Sequence, residues 1–214
     1  MTKVIIFDFD GTLGDTRQNI VITLQRTMRD LNLELRDEAT CAATIGLTLR
    51  DSFLAMYPDM SGEDADRCVE YYRKIFYDSI EELTPRPFEN VVSTLDRLYA
   101  EGFVLTVASS RSLPSLKLFM KDMSIIDYFS YIVGSDNVTK HKPDAEPVLV
   151  TLEALGFKPS EAIVVGDMPV DVAMGRNAGV RTVAVSYGNA SKEELVAAGA
   201  DYVIDNLEEL LPLV

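Results

Sequence analysis

The chain has 214 residues, 47% of them hydrophobic, which is ample for a packed core and excludes a disordered chain. A formal net charge of −14 argues against general binding to nucleic acid or to an anionic membrane, since either would repel it. Two cysteines, Cys41 and Cys68, and one histidine, His141, exclude a disulfide framework and a multi-histidine zinc site, and disfavour a serine–histidine hydrolase.

The first element is Val4-Ile5-Ile6-Phe7, an unbroken apolar run of the kind buried on both faces of a parallel sheet. Asp8 and Asp10 follow, with Gly11 for a tight turn. Residues two apart in a strand point the same way, so both carboxylates leave the strand's carboxyl end together. That end is where open α/β sheets bind ligands. Two negative charges this close call for a cation or a shared proton. A hard cation such as Mg²⁺ suits an oxygen-only site.

Ile20, Val21, Leu24, Met28 and Leu31 then recur at helical spacing, and a mostly helical region continues to about Leu83. Gly46 interrupts it, Tyr57-Pro58-Asp59 breaks it again, and Ser61 is placed to cap a further helix. Thr84-Pro85-Arg86-Pro87 reads as a stiff linker. Residues 16–84 are therefore expected to form an inserted helical cap, with hinges at Leu13–Asp15 and Leu83–Pro87. Residues 1–15 and 85–214 form the α/β core. Cys41, Cys68 and the tyrosines at 71, 72 and 77 read as cap core, and His141 as an ordinary loop residue.

Strands and helices alternate after the linker. Strands are expected at 103–108, 131–133, 162–165, 182–185 and 202–204. Helices are expected around Val91–Leu98, at Ala145–Leu155 and at Val170–Ala178. The predicted fold class is α/β, a Rossmann-like parallel sheet with the cap inserted after the first strand. Such a sheet brings Asp8, Asp10, Ser109, Lys142, Asp167 and Asp171 to one edge. Asp167 adds a third metal-binding carboxylate. Lys142 and Ser109 suit phosphoryl oxygens, as do backbone N–H groups near Gly11. Arg111 reads as solvated surface. Asp171 fits either the site or the favoured acidic position at a helix N-terminus.

These stretches resemble the haloacid dehalogenase-like hydrolases, in their phosphoglycolate phosphatase and β-phosphoglucomutase branch. Four motifs match in order: Asp8-Phe9-Asp10-Gly11-Thr12-Leu13, Ser109, Lys142-Pro143 with Glu146-Pro147, and Gly166-Asp167 with Asp171. The resemblance implies a Mg²⁺-dependent phosphatase acting on a small phosphorylated metabolite. It assigns Asp8 as the nucleophile that becomes an aspartyl-phosphate. Asp10 becomes the acid–base, its backbone carbonyl also binding the metal. Asp8 and Asp167 are side-chain metal ligands, and Asp171 supports them through Lys142 or a metal-bound water. Ser109 and Lys142 hold the phosphoryl group, with Gly11, Thr12 and Ser110 beside it. Arg50, in a cap loop, is a candidate for a substrate's distal anion. The alternatives are a β-phosphoglucomutase-like mutase, disfavoured because the cap has no histidine, and a non-catalytic binder of phosphorylated metabolites. Gly14 and Pro87-Phe88-Glu89 depart from the family's usual hinge residues. The expected setting is cytoplasmic, as a monomer or small homo-oligomer, without nucleic-acid or membrane partners.

Overall fold

The computed structural model describes residues 2–79, 82 and 84–214. Strand β1 (Val4–Phe7) is fully buried. A short strand, β2 (Gly14–Asp15), leads into four helices: α1 (Arg17–Asp30), α2 (Glu38–Ala42), α3 (Leu49–Met56) and α4 (Gly62–Asp78). The chain returns through β3 (Arg86–Pro87). It then runs α5 (Val91–Ala100), β4 (Val104–Ala108), α6 (Leu113–Asp122), β5 (Phe129–Val133), α7 (Glu146–Leu155) and β6 (Ala162–Gly166). It closes with α8 (Pro169–Asn177), β7 (Arg181–Val185), α9 (Lys192–Ala197) and β8 (Tyr202–Ile204).

Six strands form one parallel sheet in the order β5-β4-β1-β6-β7-β8. The chain leaves β1 towards β4 on one side and later returns to β6 on the other. The crevice at the carboxyl end of β1 is thus the topological switch point. Residues of β1 alternate between two cores. Ile5 and Phe7 join the cluster containing Leu95 and Phe119, while Val4 and Ile6 join the one containing Val148 and Met174. That double burial explains the unbroken apolar run.

The inserted helices begin where the break signals place them. Thr48 and Ser61 each accept a hydrogen bond from the third residue of the helix they cap, α3 and α4. Gly46 turns the chain before α3 with φ +97°. The helices pack mainly as α1 on α4 and α4 on α3. Their apolar face, including Leu24, Phe53 and Phe76, is continuous with the first sheet core. Cys41, Cys68 and Tyr72 are buried as expected, but Tyr77 is half exposed, because it lies on the face turned to a cavity. The two expected hinges meet: Gly14 pairs with Pro87 and Asp15 with Arg86 in a two-stranded antiparallel ribbon. Leu83, the expected start of the second hinge, lies outside the described residues. The strand expected at 131–133 begins earlier, at Phe129, where it pairs with Leu105 of β4.

Candidate active site

The site sits at the carboxyl ends of β1, β4 and β6, under the inserted helices. Asp8 directly follows β1, and its N–H donates to Val165 O (2.8 Å), tying it to the end of β6. Asp167 follows β6. Asp171 lies in the first turn of α8, where Oδ2 accepts the Met168 N–H (3.0 Å). Lys142 arrives on the loop before α7. Glu146 fixes that loop by accepting the backbone N–H groups of Thr139 and Lys140, both at 2.8 Å. This is the structural work of the Glu146-Pro147 part of the third motif.

Lys142 Nζ donates to Asp8 Oδ1 (2.5 Å) and to Asp171 Oδ1 (2.6 Å), and all three side chains are buried. Carboxylate oxygens of Asp8, Asp167 and Asp171 lie within 4.8 Å of one another. Counted as ionised, one ammonium faces three carboxylates, an excess of two negative charges. One divalent cation would balance it. The donors are all hard oxygens, so the residues fit Mg²⁺.

Titration behaviour reflects the crowding. Burial pushes Asp8 well above the usual carboxylate range; Lys142 opposes this, while Asp171, Asp167 and Asp10 add to it. Burial, then Asp171, pushes Asp167 up to about 7 against hydrogen bonds from Asn189 and Thr12. Burial alone would lower Lys142, but Asp171 and Asp8 outweigh it and raise its pKa above that of an ordinary lysine.

The two leading carboxylates are separated by their partners. Asp8 takes Lys142, whereas Asp10 takes Arg111 in a fork: Nε lies 3.2 Å from both oxygens and Nη2 2.7 Å from Oδ1. The Asp10 side chain is therefore not part of the acidic cluster, so the expectation of Asp10 as a metal ligand rests on its backbone carbonyl. Arg111 is mostly covered, with a 9% exposed side chain, rather than solvated surface. The aromatic rings of Phe76 and Phe119 cover it.

The remaining expected residues divide. Ser109 is buried at the end of β4, and its Oγ accepts the Arg111 N–H (3.1 Å). Ser110 lines the cavity, and its Oγ donates to Gly46 O (2.6 Å) between the inserted helices. The Thr12 hydroxyl donates to Asp167 Oδ1 (3.1 Å). The Gly11 N–H donates to Gly14 O (2.9 Å) within the turn. Arg50 lines the cavity, where Nε donates to Asp66 Oδ1 (2.7 Å). The cavity measures about 610 Å³ and runs from Asp8 and Asp10 to the segment 44–52, where Arg50 lies in the first turn of α3 rather than in a loop, and to Tyr72 and Tyr77. His141 lies on its wall.

Residues 5–185 match the family described as haloacid dehalogenase-like hydrolase. The chain belongs to that family. A Clostridium perfringens protein provisionally named pyrophosphatase PpaX is 34% identical, over 100% of this chain and 98% of that protein. A phosphoglycolate phosphatase from Aquifex aeolicus is 33% identical, over 87% of this chain and 85% of that protein. Among solved structures, one from Bacteroides fragilis, provisionally named a haloacid dehalogenase-like hydrolase, superposes with a TM-score of 0.93 at 27% identity. It covers 98% of this chain and 100% of its own. The resemblance in the four motifs thus extends to the whole chain, and this haloacid dehalogenase-like hydrolase is an enzyme of the phosphatase kind.

Sequence reasoning missed three supporting residues of this hydrolase. Asn189 donates to Asp167 Oδ2 from its backbone N–H (2.7 Å) and its side-chain amide (2.9 Å). Tyr187 donates to Thr12 O (2.8 Å), and its ring meets Phe88 directly after β3. Gly188 lies between them, against Asp167. Gly-containing turns after strands are too common for Tyr187-Gly188-Asn189 to be singled out.

Proposed function

We propose that this chain hydrolyses phosphate monoesters of small metabolites through an aspartyl-phosphate on Asp8, with Mg²⁺ as its cofactor. The supporting observation is the buried cluster of Asp8, Asp167 and Asp171 around Lys142, which meets the cavity through Asp8. Asp8 and Asp167, with the Asp10 carbonyl, would hold the cation, and Asp171 would support it. When bound, Mg²⁺ supplies positive charge against the phosphoryl oxygens. Lys142 and Ser109 orient the phosphoryl group, so that an Asp8 oxygen attacks phosphorus in line. Asp10 gives the leaving alcohol its proton, and afterwards takes one from the attacking water.

Residues 16–84 act as the cap in this reading. They exclude water during transfer and swing on the ribbon that joins Gly14–Asp15 to Arg86–Pro87. The substrate is a small anion. The names of the relatives make inorganic pyrophosphate and phosphoglycolate the first compounds to assay. No described helix is long and apolar enough to cross a membrane. The buried, unpaired Cys41 and Cys68 suit the proposed cytoplasmic setting. The test is a panel of phosphorylated metabolites with Mg²⁺, read as inorganic phosphate. Turnover abolished by Asp8→Asn supports the reading. Conversion of β-glucose 1-phosphate to glucose 6-phosphate without phosphate release would replace it with a mutase.

A further inference from the structure

We propose that Arg111 is a positioning residue for Asp10, and that it holds Asp10 only while the helical insertion is shut. The inference rests on the reading of Asp10 as the group that protonates the leaving alcohol.

The guanidinium grips Asp10 with three N–H···O contacts of 2.7 to 3.2 Å. Such a fork fixes the plane of a carboxylate as well as its place. The fork is itself held from two directions. Phe119 of α6 belongs to the core, with its ring centre 4.7 Å from the guanidinium carbon. Phe76 of α4 belongs to the insertion, with its ring centre at 5.6 Å. The two rings also meet each other, edge to face, at 5.2 Å. Moving α4 away takes one wall from the guanidinium and admits water, which competes for its donors. The neighbouring residues bind the same device to both parts: Ser109 accepts the Arg111 N–H, and Ser110 donates to Gly46 in the insertion. Asp10 is thereby set in direction when the cavity is closed around substrate.

In the step concerned, the bond from an Asp8 oxygen to phosphorus forms as the ester P–O bond breaks. The proton is carried on Asp10 Oδ2, which has only the 3.2 Å contact, while Oδ1 stays on Nη2 at 2.7 Å, and it passes to the departing oxygen. An alkoxide needs that proton, whereas p-nitrophenolate leaves without it. Misplacing Asp10 therefore affects the two leaving groups unequally, which a general loss of structure does not.

The experiment compares kcat/KM of the Mg²⁺-loaded full chain for p-nitrophenyl phosphate and for the alkyl phosphate it turns over fastest. Arg111→Ala is expected to lower the alkyl value roughly 100-fold and the nitrophenyl value less than about 10-fold. Phe76→Leu, which keeps apolar bulk but removes the ring, is expected to show the same inequality with a smaller amplitude. It decides alone if Arg111→Ala does not fold. Equal losses on both esters, or none on the alkyl ester, overturn the role of Arg111. An inequality in Arg111→Ala without one in Phe76→Leu overturns the dependence on closure. Full turnover in Asp8→Asn would instead sink the underlying phosphatase mechanism.

Discussion

Asn189 grips a single oxygen of Asp167 twice, through its backbone N–H at 2.7 Å and its amide Nδ2 at 2.9 Å. With Thr12 on the other oxygen, Asp167 is set at one angle towards Asp8. Asn189→Ala removes the side-chain bond and keeps the backbone one. The Mg²⁺ affinity is expected to fall roughly 10-fold, the usual effect of losing a group that orients a metal ligand. Calorimetric Mg²⁺ titration checks it, and unchanged affinity would rule out an orienting role.

The acidic cluster makes metal-free stability depend on pH in a particular direction. Asp167 is held at about 7 by burial and Asp171, against about 3.9 in an unfolded chain. The folded protein binds this proton more tightly than the unfolded chain does. Its contribution is complete below about pH 4 and is lost as pH rises towards 7. Asp8 shifts the same way. Exposed carboxylates such as Glu146 and Asp205 are shifted down and act with the opposite sign, in more acid solution. Thermal unfolding with a chelator should therefore show Tm falling between about pH 5 and 7. Mg²⁺, which competes with the proton, should stabilise most at the alkaline end. Asp167→Asn should flatten the slope; a slope unchanged by that substitution would contradict the assignment.

Lys142→Met tests the floor of the site. It leaves Asp8 and Asp171 buried without their ammonium, a loss on the order of 3–5 kcal/mol. Urea unfolding should show that loss. Lys142→Met combined with Asp171→Asn should recover part of the stability and none of the activity. Equal stability of the two variants would mean that the repulsion is relieved elsewhere.

The division between legible and hidden residues follows from what each contact depends on. Asp8 and Asp167 were readable because a parallel sheet brings its carboxyl ends to one edge, and Lys142 and Asp171 because the loop before α7 and the first turn of α8 start from that same edge. Arg111 was not, because its cover needs Phe119 of the next helix together with Phe76 of α4, which is distant in sequence. Next to a strand end, an arginine without those walls is ordinary surface. Ser110 and Thr12 were readable as polar groups near the phosphoryl position. Their partners, the Gly46 carbonyl and Asp167, come from tertiary packing. The ribbon of β2 and β3 has two residues per strand, too few for any hydrophobic period to register.

Arg50 offers a test of substrate reach. It lines the cavity while paired to the exposed Asp66, and such a pair adds little stability. Arg50→Ala should raise KM roughly tenfold for substrates with a second anionic group, with Tm unchanged. Unchanged kinetics on phosphoglycolate and pyrophosphate would remove Arg50 from the site.

Gly188 needs room rather than conformational freedom. Its φ is not in the left-handed region, yet a Cβ placed there would lie 2.3 Å from Asp167 Cβ and 2.5 Å from Gly11 O. One neighbour is backbone and the other is the base of a proposed metal ligand, so neither can swing aside. Gly102 is the opposite case, with φ +86° and open space where a methyl group would go. Gly188→Ala should therefore displace Asp167, abolishing most Mg²⁺-dependent turnover at a stability cost of about 1–3 kcal/mol. Gly102→Ala should cost about 1 kcal/mol of backbone strain and leave turnover intact. Parallel Mg²⁺ titrations and unfolding curves separate the two. Full activity in Gly188→Ala would show that the turn after β7 can retreat without moving Asp167.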